Sequence, residues 1–244
     1  MITTADNILF RCSANGKLMT EPRTKSETLS ETTKKYLVEV YIQHQYQREK
    51  DIENKYITKG LQVEEDSITL YSQHKGRFFK KNESRFNNEY IAGTPDIILD
   101  NEIIDIKSSY DIFTFYNSKM DGINKSYYWQ LQGYMALTGA QKAKLVYCLV
   151  DTPNAIFLRE LNSLKWQMGV ADDSDKLFQE AANKLEENMR YSDIPIEERV
   201  HEIDIERNDA DIEKLYTRIK ECRKWINENL LTSKVKSAVE LLNK

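Results

Sequence analysis

Long apolar runs, paired cysteines, low-complexity tracts, internal repeats and an excess of basic residues are all missing from this 244-residue chain. No stretch approaches the roughly 18 apolar residues of a membrane span, and the start, MITTADNILFRCSANGKLM, has no basic region leading into a long apolar core. A soluble, cytoplasmic protein is expected. The 3 cysteines, Cys12, Cys148 and Cys222, form no C-x-x-C pair and leave one over. They point to neither a disulfide framework nor a zinc site, and read as ordinary small hydrophobes. With only 8 glycines and 4 prolines against 14 tyrosines and 40% hydrophobic residues, the composition is globular rather than disordered.

The formal net charge of -4 argues against general affinity for DNA, because such affinity comes from Lys and Arg neutralising phosphates. A local basic groove is still compatible with it. The densest basic stretch is HKGRFFKKNESR, which sets Lys75, Arg77, Lys80, Lys81 and Arg85 around Phe78 and Phe79. Basic residues interleaved with aromatics suit a nucleic-acid strand; a solvated loop whose phenylalanines tuck inward fits the same residues.

Hydrophobic periodicity predicts a helix from Ser30 to about Gln47, with Tyr36, Leu37, Val40 and Tyr41 at helical spacing behind a Ser30 cap. A second helix is predicted from about Asn54 through Glu65, then a strand over FNNEYIAG and two short apolar runs. A helix over roughly Ser126 to Leu137 precedes a buried strand, AKLVYCLVD, ended by Thr152-Pro153. The last third adds a helix near Asp175 to Met189, a strand RVHEIDIE and a long helix from about Asp209 to Asn229. In that helix Ile212, Leu215, Ile219, Cys222 and Ile226 form an apolar stripe. The order predicts a mixed α/β sheet flanked by helices. Without a linker-like shift in composition, a single domain over 1–244 is expected, with its core at about 30–152 and an extension over 153–244.

The chemistry concentrates in GTPDIILDNEIIDIKSS, Gly93 to Ser109. If Asp100-Asn101 are the central residues of a two-residue turn, facing positions sum to 201. Asp96 then faces Asp105, and Lys107 shares their side of the strand. Two carboxylates held side by side repel, and a divalent cation between them removes the repulsion. Hard oxygen ligands suit Mg²⁺ or Mn²⁺. Lys107 beside the metal can orient or deprotonate a water and stabilise charge on a phosphate, which is what phosphodiester hydrolysis requires. A surface hairpin with exposed ion pairs fits the same spacing, and a slip of one residue would turn Asp96 away from Asp105.

Pro95-Asp96, the hairpin and Asp105-x-Lys107 resemble the PD-(D/E)XK nuclease superfamily. Gln130 and Tyr134, at i,i+4 on one helix face, are similar to the Q-h-x-x-Y motif of its RecB-type and phage-exonuclease branches. Gly60-x-x-x-Glu64 is similar to their helical glutamate, with Glu65 as the rival acid. RCSANGK and YYWQLQGYM look most like the YqaJ-type viral recombinases, the group of phage lambda exonuclease, over about residues 8–152. The resemblance implies a PD-(D/E)XK core in which Asp96, Asp105 and the Ile106 carbonyl bind one metal. Glu64 would contribute to that site or a second, Lys107 would assist the attacking water, and Gln130 and Tyr134 would support the site.

The same resemblance implies a Mg²⁺-dependent exonuclease that digests linear double-stranded DNA from 5' ends and works with a single-strand annealing protein. It further implies a ring-shaped trimer, and it would place Arg11 and Ser13 in a 5'-phosphate pocket. An iron-sulfur cluster of the RecB branch would need four cysteines and is rejected. An endonuclease using the same site, or a catalytically silent DNA-binding protein of the same fold, are the alternatives.

Overall fold

The computed structural model describes residues 2–50 and 55–231. In chain order, β1 (Phe10–Arg11) leads through a 3-10 turn (Cys12–Ala14) into the short helix α1 (Asn15–Leu18). Helices α2 (Glu31–Tyr46), α3 (Lys55–Gln62) and α4 (Glu64–His74) follow. Next come β2 (Phe86–Asn87), β3 (Ile91–Gly93), β4 (Ile97–Ile98), β5 (Glu102–Ser108), α5 (Ile112–Met120), α6 (Lys125–Thr138) and β6 (Lys142–Cys148). After these lie α7 (Asn154–Met168), α8 (Lys176–Glu187), β7 (Val200–Glu206) and α9 (Asp209–Ile226), which runs into a π turn at Asn227–Leu231.

Strands β4 to β7 lie side by side in sequence order: β4 antiparallel to β5, β5 parallel to β6, and β6 antiparallel to β7. The expected mixed sheet is therefore present. Its central strand β5 is covered on both faces. Ile103 packs with Leu145 and Tyr147 of β6 toward α2, α6 and α9, while Ile104 and Ile106 pack with Val146 and Cys148 toward Ile68, Leu70 and Tyr71 of α4. Each such isoleucine stabilises the fold by about 1.5–3 kcal/mol through burial. The stripe expected on the long C-terminal helix is buried along its length, and Leu215, Ile219, Cys222 and Ile226 join the same core as Ile103. A small second sheet, β1-β3-β2, lies beside it.

Several expected elements take a different form. The helix placed at about Asn54 to Glu65 begins outside the described residues and is in fact two helices. Val63, buried with φ -112° and ψ 12°, separates α3 from α4. The second helix continues to His74 because Ile68, Leu70 and Tyr71 bury their side chains against the sheet. The strand over FNNEYIAG is two short antiparallel strands, since the Asn88 side chain accepts hydrogen bonds from the backbone N–H groups of Tyr90 and Ile91 and turns the chain. Helices α5 and α7 were not foreseen. Each opens behind a local device, Asp111 capping Thr114 in the first and Pro153 preceding the second.

Gly133, in the middle of α6, marks where that helix meets the N-terminal turn. A Cβ there would lie 2.4 Å from Asn15 Nδ2 and 3.0 Å from Cys12 Sγ, both fully buried. Asn15 cannot swing aside easily, because its Nδ2 donates to the Trp129 carbonyl at 3.1 Å. Gly133→Ala is expected to destabilise the protein by about 1–3 kcal/mol in chemical denaturation. Gly60→Ala, in a helix with nothing within 4 Å of the new Cβ, is expected to be neutral or stabilising by up to about 1 kcal/mol. Equal behaviour of the two variants would refute this packing.

Candidate active site

The register of the hairpin decides where its charges go. Ile97 pairs with Ile104 and Ile98 with Ile103, and Leu99 N–H donates to the Glu102 carbonyl across the turn at 2.8 Å. Facing positions thus sum to 201, and Asp96 comes opposite Asp105. Asp96 Oδ2 accepts a hydrogen bond from the Ile106 N–H at 2.7 Å. Asp105 is 1% exposed. Its Oδ1 accepts from Gln130 Nε2 at 3.0 Å, and its Oδ2 lies 2.6 Å from Lys107 Nζ. Gln130 Nε2 also reaches the Tyr134 hydroxyl at 3.1 Å, so the i,i+4 pair on α6 acts as one bracket behind the buried aspartate.

Asp96, Asp105, Ile106 and Lys107 line a cleft of about 370 Å³ together with Glu64 and Gln130. Glu64 is the first residue of α4. The break at Val63 brings it to the cleft, whereas Glu65 is exposed on the solvent side. Its carboxylate is held by Lys81 Nζ at 3.1 Å. Lys81 belongs to the basic stretch, which the structure fastens next to the site: Asn82 N–H donates to the Asp96 carbonyl at 2.7 Å.

The other members of that stretch differ from one another. Lys80 is exposed, Arg77 lies over the Phe79 ring at 5.3 Å, and Lys75 is held by Glu202 of β7 at 2.6 Å. Phe79 is buried and Phe78 is 84% exposed, so one phenylalanine tucks inward and the other does not. Arg11 lines a separate cleft with Tyr36, Glu39, Arg48 and Lys50, and Ser13 is exposed in the 3-10 turn. The structure does not bring Arg11 and Ser13 to the carboxylates.

The electrostatics carry the mark of crowded like charges. Burial and the neighbouring Asp105 push the Asp96 carboxyl up to about 7, against the opposing pull of Lys107 and the Ile106 N–H. Burial works against the charged form of Lys107, but Asp105 and Asp96 outweigh it and raise its pKa. Lys107 therefore rests as an ammonium. Among the described residues, no group of three His, Cys, Asp or Glu side chains is arranged to hold a metal ion unaided. Two facing carboxylates that repel each other, with a third carboxylate on the same cleft, nevertheless form a hard-oxygen set of the kind Mg²⁺ shares with waters and phosphate.

Two contributors escaped the sequence reading. Tyr127 places its ring 5.0 Å from Lys107 Nζ, and Ser108 hydrogen-bonds Ser67 of α4 across 2.7 Å; both line the cleft. Tyr127 precedes Gln130 by three residues, one helical step along the same face, and that spacing was the available signal.

No family model matches the chain, and no curated protein matches it. Among solved structures, a phage-related exonuclease from Haemophilus somnus 129PT is 25% identical, with a TM-score of 0.70 over 94% of this chain and 97% of that one. An alkaline exonuclease from Laribacter hongkongensis is 16% identical, with a TM-score of 0.65 over 97% of this chain and 96% of that one. The same alkaline exonuclease in complex with dAMP gives 18% identity and a TM-score of 0.64 over 98% of each chain. The likeness extends well past residue 152, where the sequence resemblance stopped, and the chain shares the fold of these exonucleases, in keeping with the PD-(D/E)XK nuclease pattern of its motifs.

Proposed function

We propose that the protein is a Mg²⁺-dependent nuclease that digests linear double-stranded DNA from its ends, with 5'-to-3' polarity, in phage-type recombination. The single observation that carries this reading is Asp96 facing Asp105 with Lys107 beside them on one strand of a cleft. A phage-related exonuclease and an alkaline exonuclease of the same fold, the latter also complexed with dAMP, support digestion from ends rather than internal cutting. By the family resemblance, the working form is a trimer that acts with a single-strand annealing protein.

Asp96, Asp105 and the Ile106 carbonyl would hold the cation, with Glu64 joining them or a second ion. Mn²⁺ has the same preference for oxygen ligands and can substitute. When bound, the ion supplies Lewis acidity at the scissile phosphate. Water attacks phosphorus, the bond to the leaving oxygen breaks, and the proton given up by the water ends on that leaving oxygen. The Lys107 ammonium, fixed between Asp105 and the Tyr127 ring, orients that water and stabilises the negative charge that builds on the phosphate oxygens. Gln130 keeps Asp105 turned toward the cleft, and Tyr134 keeps Gln130 in place. Lys80 and Arg77 lie on the stretch fastened beside the cleft and provide phosphate contacts.

Activity is the direct test. Linear duplex labelled at its 5' or 3' ends should lose label to mononucleotides with Mg²⁺ and be spared with chelator, while closed circular DNA stays intact. Lys107→Ala is expected to lower the rate at least about 100-fold with an unchanged circular dichroism spectrum. Undiminished digestion by a folded Lys107→Ala protein would refute the assignment, and cutting of closed circles would favour an endonuclease.

A second test needs no substrate. Because the native Asp96 carboxyl is raised from 3.8 to about 7, the metal-free native state binds more protons than the unfolded chain between those values. Metal-free stability should therefore fall as pH rises through that window. Added Mg²⁺ should raise Tm more at pH 8 than at pH 6, where it must displace a proton. Asp96→Asn should abolish the Mg²⁺ effect and be more stable than the metal-free parent at pH 8, by about 1 kcal/mol or more. A Tm gain from Mg²⁺ that survives in Asp96→Asn would place the ion elsewhere.

A further inference from the structure

Lys81 stands at a junction that the reading above leaves unused. Its ammonium is 3.1 Å from Glu64 Oε1, so the carboxylate that the resemblance assigns to metal binding is already engaged by a cation of the chain. The lysine cannot drift far from the cleft. On one side Phe79 stacks on Tyr71 with centroids 5.0 Å apart, and its N–H donates to Ser72 Oγ. On the other side Asn82 N–H donates to the Asp96 carbonyl at 2.7 Å, and Asn82 Nδ2 donates to the Pro95 carbonyl at 2.9 Å. The backbone on both sides of Lys81 is thus anchored, one anchor to the very strand that carries Asp96. Only the long side chain has freedom.

We infer that Lys81 is an exchangeable counter-ion of Glu64: a divalent cation that takes Glu64 releases the Lys81 ammonium, which then binds a phosphate of the DNA backbone at the edge of the cleft. The inference rests on the proposed metal site. Its content is a coupling between two ligands, metal and DNA, through one side chain that is satisfied in either state but by different partners. Electrostatics favour the exchange in both directions. An ammonium near a divalent cation is repelled, while one near a DNA phosphate is attracted. Without metal, the Glu64–Lys81 pair neutralises a positive charge that would otherwise attract DNA to an incomplete site.

The coupling can be read without turnover. All measurements use the full chain carrying Lys107→Ala, which retains Glu64, Asp96 and Asp105. Mg²⁺ binding by isothermal titration calorimetry and binding of a fluorescent linear duplex are compared for this protein and for versions that add Lys81→Met or Lys80→Met. Lys80 is the control, being the exposed neighbour of equal charge.

In the absence of DNA, Lys81→Met should bind Mg²⁺ roughly two- to five-fold more tightly, as expected for removing a partly exposed competing ion pair, and Lys80→Met should not. Lys81→Met should weaken duplex binding with Mg²⁺ present, lowering the slope of log affinity against log salt by about 1, and should leave duplex binding in chelator unchanged. Lys80→Met should weaken it in both conditions. An effect of Lys81→Met on duplex binding that is equal with Mg²⁺ and with chelator, or an unchanged Mg²⁺ affinity, would overturn the exchange. Absence of Mg²⁺ binding in all three proteins would overturn the metal site itself, which is a separate result.

Discussion

The structure is organised around a repulsion. A two-residue turn fixes the register of β4 on β5, and that register sets a half-buried Asp96 against Asp105, which is shut away from solvent screening. Nearly every polar group nearby answers that problem. The Ile106 N–H takes one oxygen of Asp96, Gln130 and Lys107 each take one oxygen of Asp105, and Tyr127 lies beside the lysine. Even so, burial and the facing Asp105 hold the pKa of the Asp96 carboxyl well above the usual carboxylate range. A protein built only for stability would replace such a pair with apolar residues, which is often neutral or favourable. Retaining it is explicable if a cation completes the set.

The fold supplies what this arrangement needs, which is rigidity on both sides of one strand. Ile103 on one face and Ile104 with Ile106 on the other lock β5 into two separate apolar clusters. The backbone that carries Asp105 is thereby fixed, and Gln130 and Lys107 hold its carboxylate. α6 contributes its polar bracket only because Gly133 lets the helix approach Cys12 and Asn15 closely. The glycine inside the Q-x-x-x-Y segment therefore serves the fold, and through the fold it serves the placement of Gln130.

Much of this was legible in the residues. The position sum of 201 could be stated from the sequence, because Asp100-Asn101 suit the centre of a two-residue turn and the side chains of strands alternate, although a slip of one residue stayed open until the pairing of Ile97 with Ile104 closed it. The sheet composition and the C-terminal stripe were legible for the same reason: periodicity is a local property. What was not legible depended on tertiary contact. The break at Val63 has no Gly or Pro to announce it. Helix α5 packs only Phe115 deeply, so its apolar period is faint. The Lys81–Glu64 pair joins residues 17 positions apart around a helix and a loop, and no spacing rule reaches that far. The motif residues Glu64, Asp96, Asp105, Lys107 and Gln130, by contrast, meet in one cleft, as their order along the chain led us to expect.

Lys59 of α3 gives the cleft a property of another kind. It is 1% exposed, and its ammonium donates to the carbonyls of Tyr110 at 2.8 Å and Val150 at 3.1 Å, just beyond the ends of β5 and β6. Burial lowers its pKa to about 8 although Asp111 and Asp151 pull the other way. The wall formed by Gly60 and Leu61 is thereby tied to the two parallel strands by an internal bolt that involves none of the cleft's carboxylates. The cleft is preorganised on this side, and little of a ligand's binding energy would go into ordering this wall.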